Sequence, residues 1–313
     1  MNINKDMKNK IYVLMVILAG AFWGSSCLFV NKLTNDIGFT SIQSTAVRVF
    51  FAALILNAAV IIKGRGFRLY RLSLGSYAIA ACSGIFSVLS MCLFYYSCMN
   101  ETSAAVAVIL LYTAPIFVMV MSLIFFKERL TAKKIIAFLV AIVGCALVSG
   151  IASGTKISVW GILSGVLSGF SYSLYGIFTS FYMKKNDEPL TFSALNFLFA
   201  AMVAVAIASP AQIVEKTAGR EYPWLTLLFF ALFSLCTAVI PYVLYTVGLS
   251  GVKPDTASIL AFTEPLTACI FGTLVLKQPM DVFGVIGILL VCAAIVILNV
   301  NFGKRKMGED ASL

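Results

Sequence analysis

Long, unbroken apolar stretches dominate the chain, and short polar segments separate them. The apolar positions within each stretch are contiguous rather than alternating, which favours membrane-spanning α-helices over the strands of a β-barrel. A spanning helix needs about 20 mostly apolar residues. We therefore predict an all-α integral membrane protein with ten transmembrane helices, at 11–31, 42–62, 74–97, 104–126, 133–150, 158–182, 191–210, 224–248, 255–276 and 282–302.

The composition agrees with a membrane protein. The chain has 313 residues, of which 61% are hydrophobic and 12% are charged, and its mean hydropathy is +0.99. Soluble domains carry about twice that share of charge. So few charges cannot cover the surface of a soluble globule, which excludes an ordinary soluble enzyme, a secreted disulfide scaffold and a disordered chain.

Basic residues are distributed unequally between the two sides of the predicted membrane. Of the 23 Lys and Arg residues, 17 lie in segments on the same side as the N-terminus, five lie on the other side, and Arg48 lies within a span. Lys and Arg are retained on the cytoplasmic side during insertion. We therefore predict that both termini are cytoplasmic. The same bias explains the net charge of +10 without a nucleic-acid partner.

An internal repeat becomes visible when the chain is shifted by 150 residues. Tyr95 then falls on Tyr245, Pro115 on Pro265, and Lys127 on Lys277. The halves, 1–150 and 151–313, hold five predicted helices each, and an odd number forces the second half to enter the membrane from the opposite side. We therefore expect two inverted five-helix repeats, the plan of many secondary transporters, with the substrate between them near the midplane.

Several short motifs occur in the order typical of one family. The chain resembles the EamA-like transporters of the drug/metabolite transporter superfamily over nearly its whole length. The residues that carry the resemblance are Phe22-Trp23-Gly24-Ser25-Ser26, Arg48, Thr113-Ala114-Pro115, Lys127-Glu128-Arg129-Leu130-Thr131, Gly144 and Thr263-Glu264-Pro265. It departs from the family at Lys277-Gln278-Pro279, where a Gly-Glu pair is usual.

The resemblance implies a multi-pass protein of the bacterial cytoplasmic membrane. It also implies export of small organic metabolites, amino-acid-like solutes first, by alternating access. Multidrug efflux of amphiphilic or cationic compounds is the alternative. The expected partners are a small-molecule substrate and membrane lipid.

Two charged side chains, Arg48 and Glu264, are predicted to lie deep within spans. A charge at such depth costs about 2.5–3.5 kcal/mol on insertion scales, and is usually functional or paired. In one interpretation the two side chains pair with each other or with helix ends and hold the bundle together. In the other they face a cavity, where Glu264 binds a proton or a substrate ammonium and Arg48 binds a carboxylate.

Other residues are candidates for lining the cavity or bending the helices. Pro115 and Pro265 fall near the middle of the fourth and ninth spans, where proline frees a backbone carbonyl and can bend the helix; a purely structural kink is the alternative. Aromatic and polar side chains near mid-span could contact an organic solute, and belong otherwise to the core or the interfacial belt. The candidates are Trp23, Tyr112, Tyr172, Tyr175 and Asn196, with Tyr95, Tyr96, Tyr242 and Tyr245 given less weight.

Glycines recur every fourth residue at Gly20 and Gly24, and at Gly161, Gly165 and Gly169. Small residues at this spacing let helices approach closely, either within the chain or across a homodimer. The chain has no histidine, and its eight cysteines include no CxxC pair. We therefore predict no metal, no cofactor and no enzymatic activity. The chain has no phosphate-binding loop for ATP, so an ion or solute gradient, or exchange, would drive transport.

Overall fold

The computed structural model describes residues 3–101, 107, 110–128, 130–148, 158–185, 188–275 and 282–299. Within these residues every regular element is helical, so the predicted all-α architecture is confirmed there. The α-helices are α1 (Ile3–Gly24), α2 (Ser26–Asn35), α3 (Ser41–Lys63), α4 (Leu74–Cys82), α5 (Ser90–Glu101), α6 (Ala114–Phe126), α7 (Ala132–Val148), α8 (Val159–Met183), α9 (Pro189–Ile207), α10 (Pro210–Ala218), α11 (Pro223–Ser234), α12 (Ile240–Gly248), α13 (Pro254–Leu260), α14 (Thr263–Leu274) and α15 (Val282–Asn299).

Six helical segments in the described residues are long and apolar enough to cross a membrane. Shorter apolar helices occur at Ala114–Phe126 and Val282–Ile297. The chain is therefore a multi-pass membrane protein. Part of the fourth predicted span, at 102–106, lies outside the described residues. The long segments are Asn9–Asn35, Ser41–Lys63, Leu74–Tyr95, Val159–Met183, Pro189–Ile207 and Pro223–Gly248.

Local sequence signals set where the helices begin. Thr40 and Gln43 form a capping box at the start of α3, each side chain bonding the other's backbone N–H, which satisfies two of the free donors of the first turn. Ser158 caps α8 in the same way through one bond to the backbone N–H of Gly161. Proline occupies the first position of α9 and α13, where its missing N–H has no cost.

The helices pack in pairs that join the two halves of the chain. Helix α3 runs along α9, and α7 runs along α15. Gly144 allows the second contact, because a Cβ there would lie 2.8 Å from the carbonyl oxygen of Gly287. Helix α1 lies against α12 and α14, while α8 lies against α5 and α6.

Within the described residues, two pairs of irregular segments interrupt the helices at positions about 150 residues apart. Two are π-helical, at Ser83–Leu89 and Leu235–Val239. The other two are breaks, at Tyr112–Thr113 before α6 and at Ala261–Phe262 between α13 and α14. Such interruptions free backbone groups and frequently occur at functional sites. They identify the region where the functional residues should be sought.

Candidate functional site

Glu264 lies in the first turn of α14, directly after the break at Ala261–Phe262. Helix α1 holds this break in place, because the hydroxyl of Thr263 donates to the backbone oxygen of Ile17 at 3.0 Å. Gly24 permits the approach, since a Cβ there would lie 2.5 Å from the carbonyl oxygen of Glu264. The position of this carboxyl group therefore depends on a close contact between helices at opposite ends of the sequence.

Protein surrounds the Glu264 side chain, yet part of its surface remains accessible to water. The hydroxyl of Tyr112 faces it in a contact looser than a regular hydrogen bond. Arg48 and Tyr172 also interact with it electrostatically. A deep carboxyl group with accessible surface can hold a proton or an ammonium group.

Arg48 lies in α3, and its guanidinium Nη2 donates to Sγ of Cys92 at 3.3 Å. It also interacts electrostatically with Tyr242 and Glu264. Like Glu264, it keeps part of its surface accessible. A thiol is a weak hydrogen-bond acceptor, and a guanidinium carries five N–H donors in a planar fork that matches the geometry of a carboxylate.

Aromatic rings from three helices form a cluster beside these charges, which we call the ring cluster: Trp23, Tyr172, Tyr242 and Tyr245. The Trp23 ring lies 5.2 Å from Tyr242, 5.4 Å from Tyr245 and 6.0 Å from Tyr172, measured between centroids. Tyr175 packs on the same cluster, 4.9 Å from the ring of Tyr242. Its hydroxyl is hydrogen-bonded to Thr246 at 2.7 Å, so Tyr175 supports the cluster from behind.

The remaining candidates occupy different positions. Asn196 is fully buried in α9, and its side-chain amide atoms have no hydrogen-bond partner within the described part of the chain. Its backbone oxygen lies against Gly84, in the π-helical segment. Pro115 and Pro265 lie within the first three residues of α6 and α14, immediately after the two breaks.

The glycine stripes serve contacts within the chain. Gly20 and Gly24 face Thr263 and Glu264, which directly follow the break at Ala261–Phe262. Gly165 and Gly169 face the other break, and a Cβ at Gly169 would lie 2.5 Å from Oγ1 of Thr113. These contacts explain both stripes without a dimer. A homodimer stays a prediction.

Sequence reasoning gave too little weight to Tyr242 and Tyr245. They were given less weight than Tyr112 and Tyr172, whereas the structure places both rings against Trp23. The π-helical segment at Leu235–Val239 precedes them and changes which way the following residues face. One signal in the sequence pointed to them, since Tyr242 and Tyr245 are three residues apart and share a helix face.

Comparison with known proteins gives a consistent match. The model of the EamA-like transporter family matches residues 10–150 and, a second time, residues 159–300. An uncharacterized transporter, YwfM, of Bacillus subtilis is 26% identical over 98% of this chain and 100% of its own length. An uncharacterized transporter of Archaeoglobus fulgidus is 27% identical over 90% of this chain and 94% of its own.

Two further relatives bear on location and fold. The uncharacterized inner membrane transporter YicL of Salmonella typhimurium is 22% identical over 94% of this chain and 96% of its own. A protein of known crystal structure superposes with a TM-score of 0.74 at 16% identity, over 92% of this chain and 97% of the other. The fold is therefore one that has been seen experimentally.

Proposed function

Because the chain belongs to the EamA-like transporter family, we propose that it is a secondary transporter that exports small organic metabolites. Amino-acid-like solutes are the leading substrate class, and the cytoplasmic (inner) membrane is the location. Transport proceeds by alternating access, and neither a metal nor another cofactor takes part.

One observation carries the proposal: a carboxyl group, a guanidinium and the ring cluster meet beside a helix break in the protein interior. Glu264 and Arg48 both retain accessible surface there, although a buried charge is costly unless it is paired. An amino acid supplies the complementary set. Its ammonium would bind Glu264, its carboxylate would bind Arg48, and an apolar body would lie against Trp23.

The arrangement of contacts supports two inverted repeats of five helices, at 1–150 and 151–313. When the two halves are interchanged, the contact of α1 with α14 becomes the contact of α8 with α6. The same exchange brings the two breaks to within one residue of each other, since a shift of 150 residues places Tyr112–Thr113 on Phe262–Thr263 and the second break lies at Ala261–Phe262. Such symmetry suits a protein that opens alternately to each side of the membrane around a central site.

Glu264 is the residue we assign to coupling. It is the deep group expected to exchange a proton near neutral pH in a chain without histidine. Binding of a proton and binding of a substrate ammonium would then compete for one carboxylate. Such competition couples the proton gradient to export, because the carboxylate releases one when it takes up the other.

A second candidate function is multidrug efflux of amphiphilic or cationic compounds. The ring cluster favours it, because aromatic faces bind organic cations, and Glu264 would neutralise their charge. Arg48 argues against it, since a cation gains nothing from a second positive charge in the site.

A thermal-shift screen of the purified protein in detergent tests these alternatives. A ligand that binds only the folded state stabilises it by about 2.7 kcal/mol at one hundred times its Kd. We expect zwitterionic amino acids to raise the midpoint of unfolding, and their methyl esters, which lack the carboxylate, to raise it less. Stabilisation by lipophilic cations alone would move efflux to first place.

A matched variant makes this screen specific. Arg48→Gln removes the guanidinium and should lower the affinity for amino acids by roughly tenfold or more, while leaving lipophilic cations unaffected, since a charge-assisted hydrogen bond contributes about 1.5–3 kcal/mol. Arg68→Gln, at an exposed position between α3 and α4, serves as the control. Equal affinities in the Arg48→Gln variant and the wild type would contradict the assigned role.

A further inference from the structure

Four charged residues join the two halves of the chain at the end where α6 finishes and α13 begins. Lys134 forms an ion pair with Asp255, and Lys253 forms one with Glu128 at 3.1 Å. Lys134 also lies 3.9 Å from Glu128. By the charge bias this end is cytoplasmic. Glu128 and Lys134 belong to the first half, and Lys253 and Asp255 to the second.

Three of the four side chains are largely buried where the two halves meet. Asp255 is fully buried, and the side chains of Lys134 and Glu128 are 13% exposed, whereas the side chain of Lys253 is 60% exposed. Around them, α13 packs on the end of α6 and the start of α7. This end of the molecule is therefore closed in the structure, and the charges lie in the contact that closes it.

A buried ion pair is a poor way to gain stability, because removing two charges from water costs about as much as their attraction returns. It is a suitable way to build a contact that must open to water. When the halves separate, water solvates both charges, whereas an apolar contact would expose its surface at full cost. A cavity of about 420 Å³ already brings solvent to Glu128 and Lys253.

The matching positions in the other half carry no charge. A shift of 150 residues places Glu128 on Gln278, Lys134 on Gly284, and Asp255 on Ala105, all uncharged. Inverted repeats of identical sequence would carry the same charges at both ends. At these positions the two ends of the molecule therefore differ in sequence.

We propose that the buried Lys134–Asp255 pair, with Glu128 beside it, forms a latch that closes the cytoplasmic end and must break in each transport cycle. This inference rests on the alternating-access function proposed above. In the resting protein, the latch shifts the conformational equilibrium toward the state that is closed to the cytoplasm. Weakening it exposes the central site to the cytoplasm more often, whichever solute is carried.

The test measures access to the central site directly. Cys92, which contacts Arg48, is kept as the sole cysteine. Inside-out vesicles are treated with 2-sulfonatoethyl methanethiosulfonate, a thiol reagent that does not cross membranes. We expect Asp255→Asn to raise the labelling rate roughly fivefold or more, within the usual range of conformational coupling. An unchanged rate in a folded Asp255→Asn protein would overturn the proposal.

A matched control is available at the same end. Lys63 pairs with Glu188 at 2.9 Å across the halves, but the Lys63 side chain is 56% exposed. Exposed pairs contribute little, so Glu188→Gln should leave the labelling rate within about twofold of wild type. A rise as large as that of Asp255→Asn would show that any ion pair at this end has the effect, and would refute a latch specific to the buried pair.

A second variant keeps the test valid if Asp255→Asn fails to fold. Lys134→Met combined with Asp255→Leu leaves neither partner of that pair behind, and such replacements are often neutral or stabilising. We expect slower labelling from the cytoplasmic face, because the apolar contact opens at greater cost; an unchanged rate would refute the latch. Labelling requires no substrate. If the wild type exports no amino acid while labelling responds as expected, the latch stands and the proposed substrate fails.

Discussion

At the scale of single residues, the chemistry that we propose for this transporter centres on a carboxyl group whose surroundings come from distant parts of the chain. Glu264 has Tyr112, Arg48 and Tyr172 as neighbours, and they come from three other helical segments. A substitution at Glu264 tests whether its carboxyl group binds a proton or an ammonium group. The amide of glutamine has the shape of the protonated carboxyl group and cannot release a proton.

Glu264→Gln should therefore abolish export driven by a pH gradient, with a fall of roughly tenfold or more. Solute exchange at equal pH should suffer less, because it needs no net proton movement. Uptake and counterflow in proteoliposomes measure the two. Glu215→Gln, on the exposed side of α10, is the control. Wild-type rates for Glu264→Gln across the pH range would rule out the coupling role.

At the scale of helices, close contacts position the functional break. Helix α1 reaches the Glu264 backbone because residue 24 has no side chain, and α8 reaches Thr113 through Gly169 in the same manner. The atoms that meet Gly24 include the backbone oxygen of Glu264 and the backbone nitrogen of Ala268. Backbone atoms within a helix cannot move aside as the end of a long side chain can.

Gly24→Ala should consequently destabilise the protein by about 1–3 kcal/mol, the usual cost of overpacking a tight contact. Gly176→Ala is a matched control, because the atoms that its Cβ would meet are 3.7 Å away. Alanine there should be neutral or stabilising by up to about 1 kcal/mol through helix propensity. Unfolding midpoints in detergent decide between these outcomes, and equal effects of the two substitutions would contradict the explanation.

The break before α14 should itself influence transport. Pro265 provides no N–H for the carbonyl oxygen of Ala261, and the backbone N–H of Glu264 donates to that oxygen instead, at 3.0 Å. Pro265→Ala restores a regular donor, so we expect it to favour a continuous helix and to slow transport severalfold. Pro210→Ala at the first position of α10 should leave the rate unchanged. The proline would be merely structural if both variants transported at the wild-type rate.

At the scale of the whole molecule, the distribution of basic residues predicts the orientation of the chain in the membrane and an even number of spans. With the ten predicted spans, both termini are expected to be cytoplasmic. Green fluorescent protein fused to the C-terminus should fluoresce, whereas alkaline phosphatase fused after Thr155 should be active, since five spans precede it. Inactive phosphatase at that site would refute the five-helix first half.

Some features of this protein were determined by the sequence alone. Continuous apolar runs require helices in lipid, because the hydrocarbon interior offers the backbone no other hydrogen-bond partners. The scarcity of charge made a membrane protein necessary, and it also drew attention to Arg48 and Glu264. The short motifs, taken together, predicted the EamA-like family, and the match to residues 10–150 and 159–300 confirms it.

Only the tertiary structure decided which residues meet. No pattern in the sequence indicated the π-helical segment at Leu235–Val239, which comes before Tyr242 and Tyr245; both rings pack on Trp23. Nor did it indicate that Lys134 and Asp255, 121 positions apart, form a buried pair. Helical periodicity specifies which face of one helix a residue occupies. Contacts between helices depend on packing of the whole bundle, which no local pattern encodes.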